Sequence, residues 1–108
     1  MRLVNPIRSA ALFLAAVLAY IQPAGAASIE QGRRLASLYC AKCHAIDKVS
    51  PSPLTNAPPF RALHQKYPVE SLQESLAEGI VTGHPTMPQF RFEPDQINDF
   101  LTFLKSLE

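Results

Sequence analysis

Two thiols and one imidazole stand close together near the middle of the 108-residue chain. Cys40 and Cys43 are separated by two residues, and His44 follows the second cysteine directly. Thiolates and imidazole bind metals, and thiols are also nucleophiles and redox groups. Four chemistries are therefore open to this motif: a disulfide, a thiol redox pair, a structural zinc site and covalent attachment of haem.

The first three chemistries fit the motif poorly. A disulfide across so short a loop would constrain the unfolded chain little. A zinc site needs four ligands, and the fourth would have to be His64 or His84. A thioredoxin-type redox pair should lie between a strand and a helix, and no segment has a strand pattern. Cys-x-x-Cys-His is the signature of c-type haem attachment, so we predict that Cys40 and Cys43 bind one haem c and that His44 binds its iron.

A candidate for the sixth iron ligand lies in a later loop. Met87 follows Pro85 by two residues and is itself followed by Pro88. A lone methionine is more often a core residue than a ligand, but this one lies in a proline-rich stretch outside any helical pattern. Methionine with histidine is the ligand pair of electron-transfer haem proteins. We therefore predict Met87 as the ligand, with His84, His64 or an open or water-bound position as alternatives.

The first 26 residues differ in kind from the rest. Arg2 and Arg8 precede an apolar run at residues 10–21, and small residues follow, ending in Ala24-Gly25-Ala26. That order is typical of a secretory signal peptide. The apolar run is shorter than the roughly twenty residues that span a bilayer as a helix, which argues against a retained anchor. We expect cleavage of residues 1–26, export to the periplasm and a mature domain at 27–108.

Composition limits the function classes further. The chain has 10 Lys+Arg against 9 Asp+Glu, and losing the two arginines of the signal segment leaves 8 against 9, or a net charge of −1. This balance does not favour nucleic-acid binding. A domain this small buries little apolar surface and usually needs a disulfide, a metal or a cofactor. The predicted haem would supply the missing core.

Three helices are predicted to position these groups. The first begins at a capping box formed by Ser28 and Gln31 and continues to about Tyr39. Gly32 within it either permits close approach of another helix or only weakens this one. The second begins at Pro68 and ends at a left-handed Gly79, and the third begins at Pro94. The third helix has the strongest apolar face, formed by Ile97, Phe100, Leu101, Phe103, Leu104 and Leu107.

Taken together, these features resemble those of a small bacterial class I cytochrome c over about residues 28–107. The resemblance rests on Gly32, the motif at residues 40–44, Ala-Pro-Pro-Phe at residues 57–60, the segment 83–90 around Met87, and the terminal amphipathic helix. It implies an all-α, cytochrome c-like fold, with three main helices and loops wrapped around one covalently attached haem. It also implies that the first and last helices cross at Gly32, in contact with Phe100 or Phe103.

The resemblance also implies a partner for the axial histidine. A proline carbonyl in the loop after the haem motif should accept the Nδ1 proton of His44, and Pro58 matches better than Pro59. Two departures stand out. Ala36 occupies a position where the family often has an aromatic residue, and no tryptophan is present to bind a haem propionate. The unranked candidates for that last role are Arg61, Lys66, Tyr67 and Arg91.

The function expected from these features is that of a soluble periplasmic one-electron carrier, not an enzyme. The carrier would be a monomer that docks transiently with redox proteins at the haem edge, with no nucleic-acid partner and no membrane span after signal cleavage. Three alternatives remain. They are a haem enzyme or gas sensor with an open distal site, the cytochrome subunit of a larger oxidoreductase, and a haem-free binding or disulfide protein.

Overall fold

The structure is a computed structural model that describes residues 26–80 and 86–108. Residues 1–25 of the predicted signal peptide therefore lie outside the described residues, as do His84 and Pro85. Within these two ranges the chain forms three α-helices: α1 (Ile29–Tyr39), α2 (Leu72–Glu78) and α3 (Pro94–Ser106). Two short 3₁₀ helices, Phe60–Gln65 and Val69–Ser71, precede α2.

The predicted all-α fold is confirmed. Across residues 26–80 and 86–108, the only β-type pairing is an isolated antiparallel bridge between Ile80 and Phe90. No helix in these two ranges is long and apolar enough to cross a bilayer. The predicted apolar face of α3 is also confirmed, since its five apolar side chains and Leu107, directly after the helix, are buried, and Phe103 and Leu104 have no exposed surface.

Helices α1 and α3 cross at Gly32, which allows their backbones to approach closely. A Cβ atom at Gly32 would lie 2.6 Å from Phe103 Cβ and closer still to the Asp99 carbonyl oxygen. Ala36, one turn further along α1, is completely buried. Of the two open interpretations of Gly32, close helix approach is therefore the correct one, and the side chain that it meets on α3 is Phe103, at its Cβ atom.

The start of α1 departs from the prediction in one detail. Ser28 Oγ accepts a hydrogen bond from Gln31 N at 3.2 Å, as a capping box requires. The Ser28 N–H, however, donates to Asp99 Oδ1 on α3 at 2.7 Å. In a capping box the Gln31 side chain would accept this N–H. Here Asp99 accepts it instead, because the crossing of α1 and α3 brings Asp99 within reach.

The second helix begins later than predicted. Pro68 has extended backbone angles and precedes the 3₁₀ turn Val69–Ser71, and α-helical geometry begins only at Leu72. Gly79 ends α2 with a positive φ of 106°, as predicted, but its ψ of 104° lies outside the left-handed helical region. A side chain there would also meet Gln89, because a Cβ atom would lie 2.7 Å from Gln89 Nε2. The end of α2 is thus packed against the segment that follows Met87.

Candidate cofactor site

The haem-type motif forms a tight turn at the end of α1. Cys40 N donates to Ala36 O at 2.9 Å, so the chain is still helical as it enters the motif. Cys43 N and His44 N then both donate to Cys40 O, at 3.1 and 2.9 Å. The two cysteines and the histidine therefore lie close together on one short turn of the chain. Both thiols are free and half-buried, so no disulfide joins them.

Burial raises the pKa of the Cys40 thiol to about 12. A redox or nucleophilic cysteine needs the opposite shift, because the thiolate is its reactive form. The environment of Cys40 therefore does not suit a thiol redox pair. It suits a sulfur atom that becomes part of an apolar wall.

An open, largely apolar cleft of about 510 Å³ lies beside the motif. Its volume is typical of sites that take small organic ligands and cofactors. All five residues predicted from the sequence lie on its wall: Cys40, Cys43, His44, Pro58 and Met87. These residues come from three separate segments of the chain, which the fold brings around one space.

His44 has its ring held from two directions. Its Nδ1 lies 2.8 Å from Pro58 O. Because a carbonyl oxygen can only accept, Nδ1 is the donor in this hydrogen bond, which leaves Nε2 as the nitrogen that could bind a metal. The ring of Phe60 packs against the imidazole at 4.8 Å between centroids. A histidine with its Nδ1 bonded to a carbonyl and its Nε2 left for a metal is the arrangement common to axial ligands.

The loop that supplies Pro58 is tied to the haem motif at several points. Leu54 N donates to Cys43 O at 3.0 Å, and Phe60 N donates to Ala45 O at 3.0 Å. Ala45 N in turn donates to Ser52 Oγ at 3.0 Å. The loop is therefore folded back on the residues that carry the motif, so that its far end returns to His44.

The residues that follow Met87 are hydrogen-bonded to α2 and to a residue just beyond its end. Ile80 N donates to Phe90 O at 2.7 Å, and Phe92 N donates to Leu76 O at 2.8 Å. These two bonds hold the chain after Met87 beside the end of α2, which also contributes to the cleft wall. Of the two histidines that remain as candidates for the sixth ligand, only His64 is among the described residues, and it is not on that wall. His64 is exposed and lines a separate surface groove, and His84 lies outside the described residues.

An aromatic series backs the cleft, and the sequence patterns did not reveal it. Phe60 and Phe92 each pack against Phe100, with centroids 5.8 and 5.6 Å apart. Tyr39 contacts both Phe92 and Phe90, at 5.8 and 6.0 Å. Phe60 and Phe92 belong to no helical apolar period, so only the proline-rich composition around them could have suggested that they face a cofactor.

Of the four residues considered for binding a haem propionate, two line the cleft and two do not. Lys66 and Tyr67 line the cleft, and burial raises the pKa of the Tyr67 phenol, which keeps it a hydrogen-bond donor. The Arg61 Nη1 donates instead to Ser50 O at 2.7 Å. Among the described residues, neither Arg61 nor Arg91 is on the cleft wall.

The residues present fit a covalently held haem. Two half-buried sulfur atoms, an imidazole with a committed Nδ1 proton and a thioether side chain surround one apolar space of suitable size. The family model described as "Cytochrome c" matches residues 29–108. Comparisons with curated proteins and with solved structures gave no significant match.

Proposed function

The chain belongs to the cytochrome c family, and from this premise we propose that it is an exported, single-haem, one-electron carrier. Members of this family hold haem c covalently and generally transfer electrons. A bound haem supplies a ferric–ferrous couple that accepts and releases one electron. The chain would be cleaved after its signal segment at residues 1–26 and would act in the periplasm as residues 27–108.

The observation that carries the proposal is the convergence of the five predicted residues on one apolar cleft. Cys40 and Cys43 would hold the haem through thioether bonds, and His44 and Met87 would be its axial ligands. A fixed pair of axial ligands favours electron transfer over ligand binding, because oxidation and reduction then require little movement of the chain. The Pro58 carbonyl would orient His44 and increase the basicity of its imidazole.

Electron exchange would take place where the cleft opens to solvent beside the cysteines. Lys42 is exposed at this edge, whereas Cys40 and Cys43 are half-buried. A net charge near −1 gives only a mild steering field, so we propose weak, transient docking through a small interface. The partners would be redox proteins, and the carrier would be a monomer with no nucleic-acid partner.

The proposal is tested by producing the full chain in a bacterial host that attaches haem to exported proteins. The purified protein should begin at Ala27, carry the mass of one haem after denaturation and show c-type absorption bands. The matched control is the double variant Cys40→Ser/Cys43→Ser, which should lack covalently retained haem. Wild-type protein without attached haem would contradict the proposal.

The same preparation separates the alternatives. Reduced protein that resists carbon monoxide supports a closed site with Met87 bound, whereas rapid binding would favour a haem enzyme or gas sensor with an open distal site. Elution as a single small species supports a free carrier. Isolation only in a complex with a larger oxidoreductase would identify a subunit instead.

A further inference from the structure

The loop between the haem motif and the first 3₁₀ helix contains a turn built around Asp47. Its Oδ1 accepts hydrogen bonds from Val49 N at 2.9 Å and from Ser50 N at 2.6 Å. Its Oδ2 accepts a third from Ser50 Oγ at 2.6 Å. The carboxylate therefore satisfies the N–H groups of the turn internally. The carbonyl oxygens of Asp47 and Ser50 remain available to another partner.

Arg61 is that partner. Its Nη1 donates to Ser50 O at 2.7 Å and lies 3.4 Å from Asp47 O. The arginine is half-buried, and it stands in the first turn of the 3₁₀ helix Phe60–Gln65. Its side chain thus joins the start of this helix to the Asp47 turn, across a loop that begins and ends beside His44.

Arg61 is separated from the Pro58 carbonyl only by Pro59 and Phe60. Proline fixes its own φ and restricts the residue before it, so this stretch of chain has little freedom to bend. Phe60 is further held by its N–H bond to Ala45 O and by the contact of its ring with His44. A displacement of Arg61 would therefore be transmitted to the position of the Pro58 carbonyl.

We propose that Arg61 is a positioning residue. It ties the 3₁₀ helix Phe60–Gln65 to the Asp47 turn and so keeps the Pro58 carbonyl on His44 Nδ1. The inference rests on the proposed function, in which His44 is an axial ligand. This positioning role takes the place of the propionate binding that the sequence suggested for Arg61, because the Arg61 guanidinium is engaged with backbone carbonyls. Its effect on the haem would be indirect, through the imidazole.

The proposal predicts a particular sign for the change in reduction potential. A hydrogen bond from Nδ1 makes the imidazole a stronger electron donor, which favours ferric iron. Weakening that bond should therefore raise the potential. Loss of a positive charge near the haem acts in the opposite direction, because it favours the more positive ferric state. The two effects have opposite signs, so a variant that keeps the charge is needed to isolate the effect of the hydrogen bond.

The experiment compares the haem-loaded proteins Arg61→Gln and Arg34→Gln with wild type. Arg34 is an exposed arginine on α1, so its replacement removes the same charge outside the loop. In ferrous protein, exchange of the His44 Nδ1 proton followed by NMR should be about tenfold faster in Arg61→Gln. The reduction potential is measured in Arg61→Lys, which keeps the positive charge, and should be higher than that of wild type. Arg34→Gln should leave the exchange rate unchanged.

An unchanged exchange rate in Arg61→Gln, or an unchanged or lower potential in Arg61→Lys, would overturn the proposal. If Arg61→Gln yields no holoprotein, Arg61→Lys decides by the same two measurements, because it retains the charge but loses the planar fork. Covalently bound haem in the wild type is verified first. Its absence would contradict the proposed function, whereas bound haem with unaltered variants would contradict only the role of Arg61.

Discussion

The backbone N–H of Ser28 donates a 2.7 Å hydrogen bond to Asp99 Oδ1, although the two residues are 71 positions apart. This contact joins the first residue before α1 to the middle of α3. It lies at the same crossing as Gly32, whose missing side chain lets the two backbones meet. The hydrogen bond from Ser28 to Asp99 and the close approach of Gly32 to Phe103 Cβ therefore hold the same pair of helices together.

Replacing Asp99 with alanine should lower the free energy of unfolding by about 2 kcal/mol, because a half-buried N–H at the start of α1 loses a charged acceptor. Urea denaturation of the haem-loaded protein measures the change. The control is Asn98→Ala, an exposed neighbour on the same helix, which should change stability by less than about 0.5 kcal/mol. Equal effects from both variants would contradict the capping role of Asp99.

Gly32→Ala should destabilise the protein even though alanine is the better helix former by about 1 kcal/mol. The new Cβ atom would overlap the Asp99 carbonyl oxygen, which is backbone and cannot rotate away. We expect a net loss of about 2 kcal/mol, the usual range for overpacking. Thermal unfolding of the variant is compared with Ser37→Ala, at an exposed site on α1. A Gly32→Ala protein as stable as this control would show that the helices can separate without cost.

Asp47 should titrate well below its ordinary range. Hydrogen bonds, first from the Ser50 hydroxyl and then from the N–H groups of Ser50 and Val49, lower the pKa of Asp47 from 3.8 to about 2. Because the folded-state pKa is depressed, the stability that the ionised carboxylate contributes is present above pH 3.8 and is lost as pH falls toward about 2. NMR titration of the carboxyl carbon measures the midpoint.

Ser50→Ala provides the matched test of this cause. Removing the hydroxyl donor should move the pKa of Asp47 back toward 3.8. Ser37→Ala, which lies on α1, should leave the midpoint where it is in the wild type. A wild-type midpoint near 3.8 would mean that the turn does not hold the carboxylate.

Met87→Ala should open the sixth coordination position if Met87 is the ligand. The oxidised variant should lose the weak near-infrared band that arises from sulfur bound to ferric iron, and the reduced variant should bind carbon monoxide rapidly. Met87→His is the matched variant. It should stay six-coordinate and resist carbon monoxide, with a lower potential, because methionine raises the potential. Persistence of the band in Met87→Ala would assign the position to another residue.

Much of this molecule could be predicted from residue types and local spacing. Cys40, Cys43 and His44 could be predicted as the haem-attachment residues because haem attachment is a local chemistry whose three groups lie within one turn of chain, and this assignment stays a prediction. The buried face of α3 was predicted for a similar reason, since residues three and four apart share one side of a helix. The assignment of Met87 as a ligand stays a prediction, although the residue lies on the cleft wall.

The sequence alone thus predicted which groups could bind a haem and determined which face of α3 is buried, because both depend on neighbours along the chain. The tertiary structure decided the contacts between distant residues. It paired Ser28 with Asp99 and Gly32 with Phe103, and it turned Arg61 toward Ser50 instead of the cleft. A sequence pattern cannot make these choices, since several side chains of suitable chemistry compete for each partner. The partners are selected only by the crossing of α1 with α3 and by the folding of the loop between the haem motif and the 3₁₀ helix Phe60–Gln65.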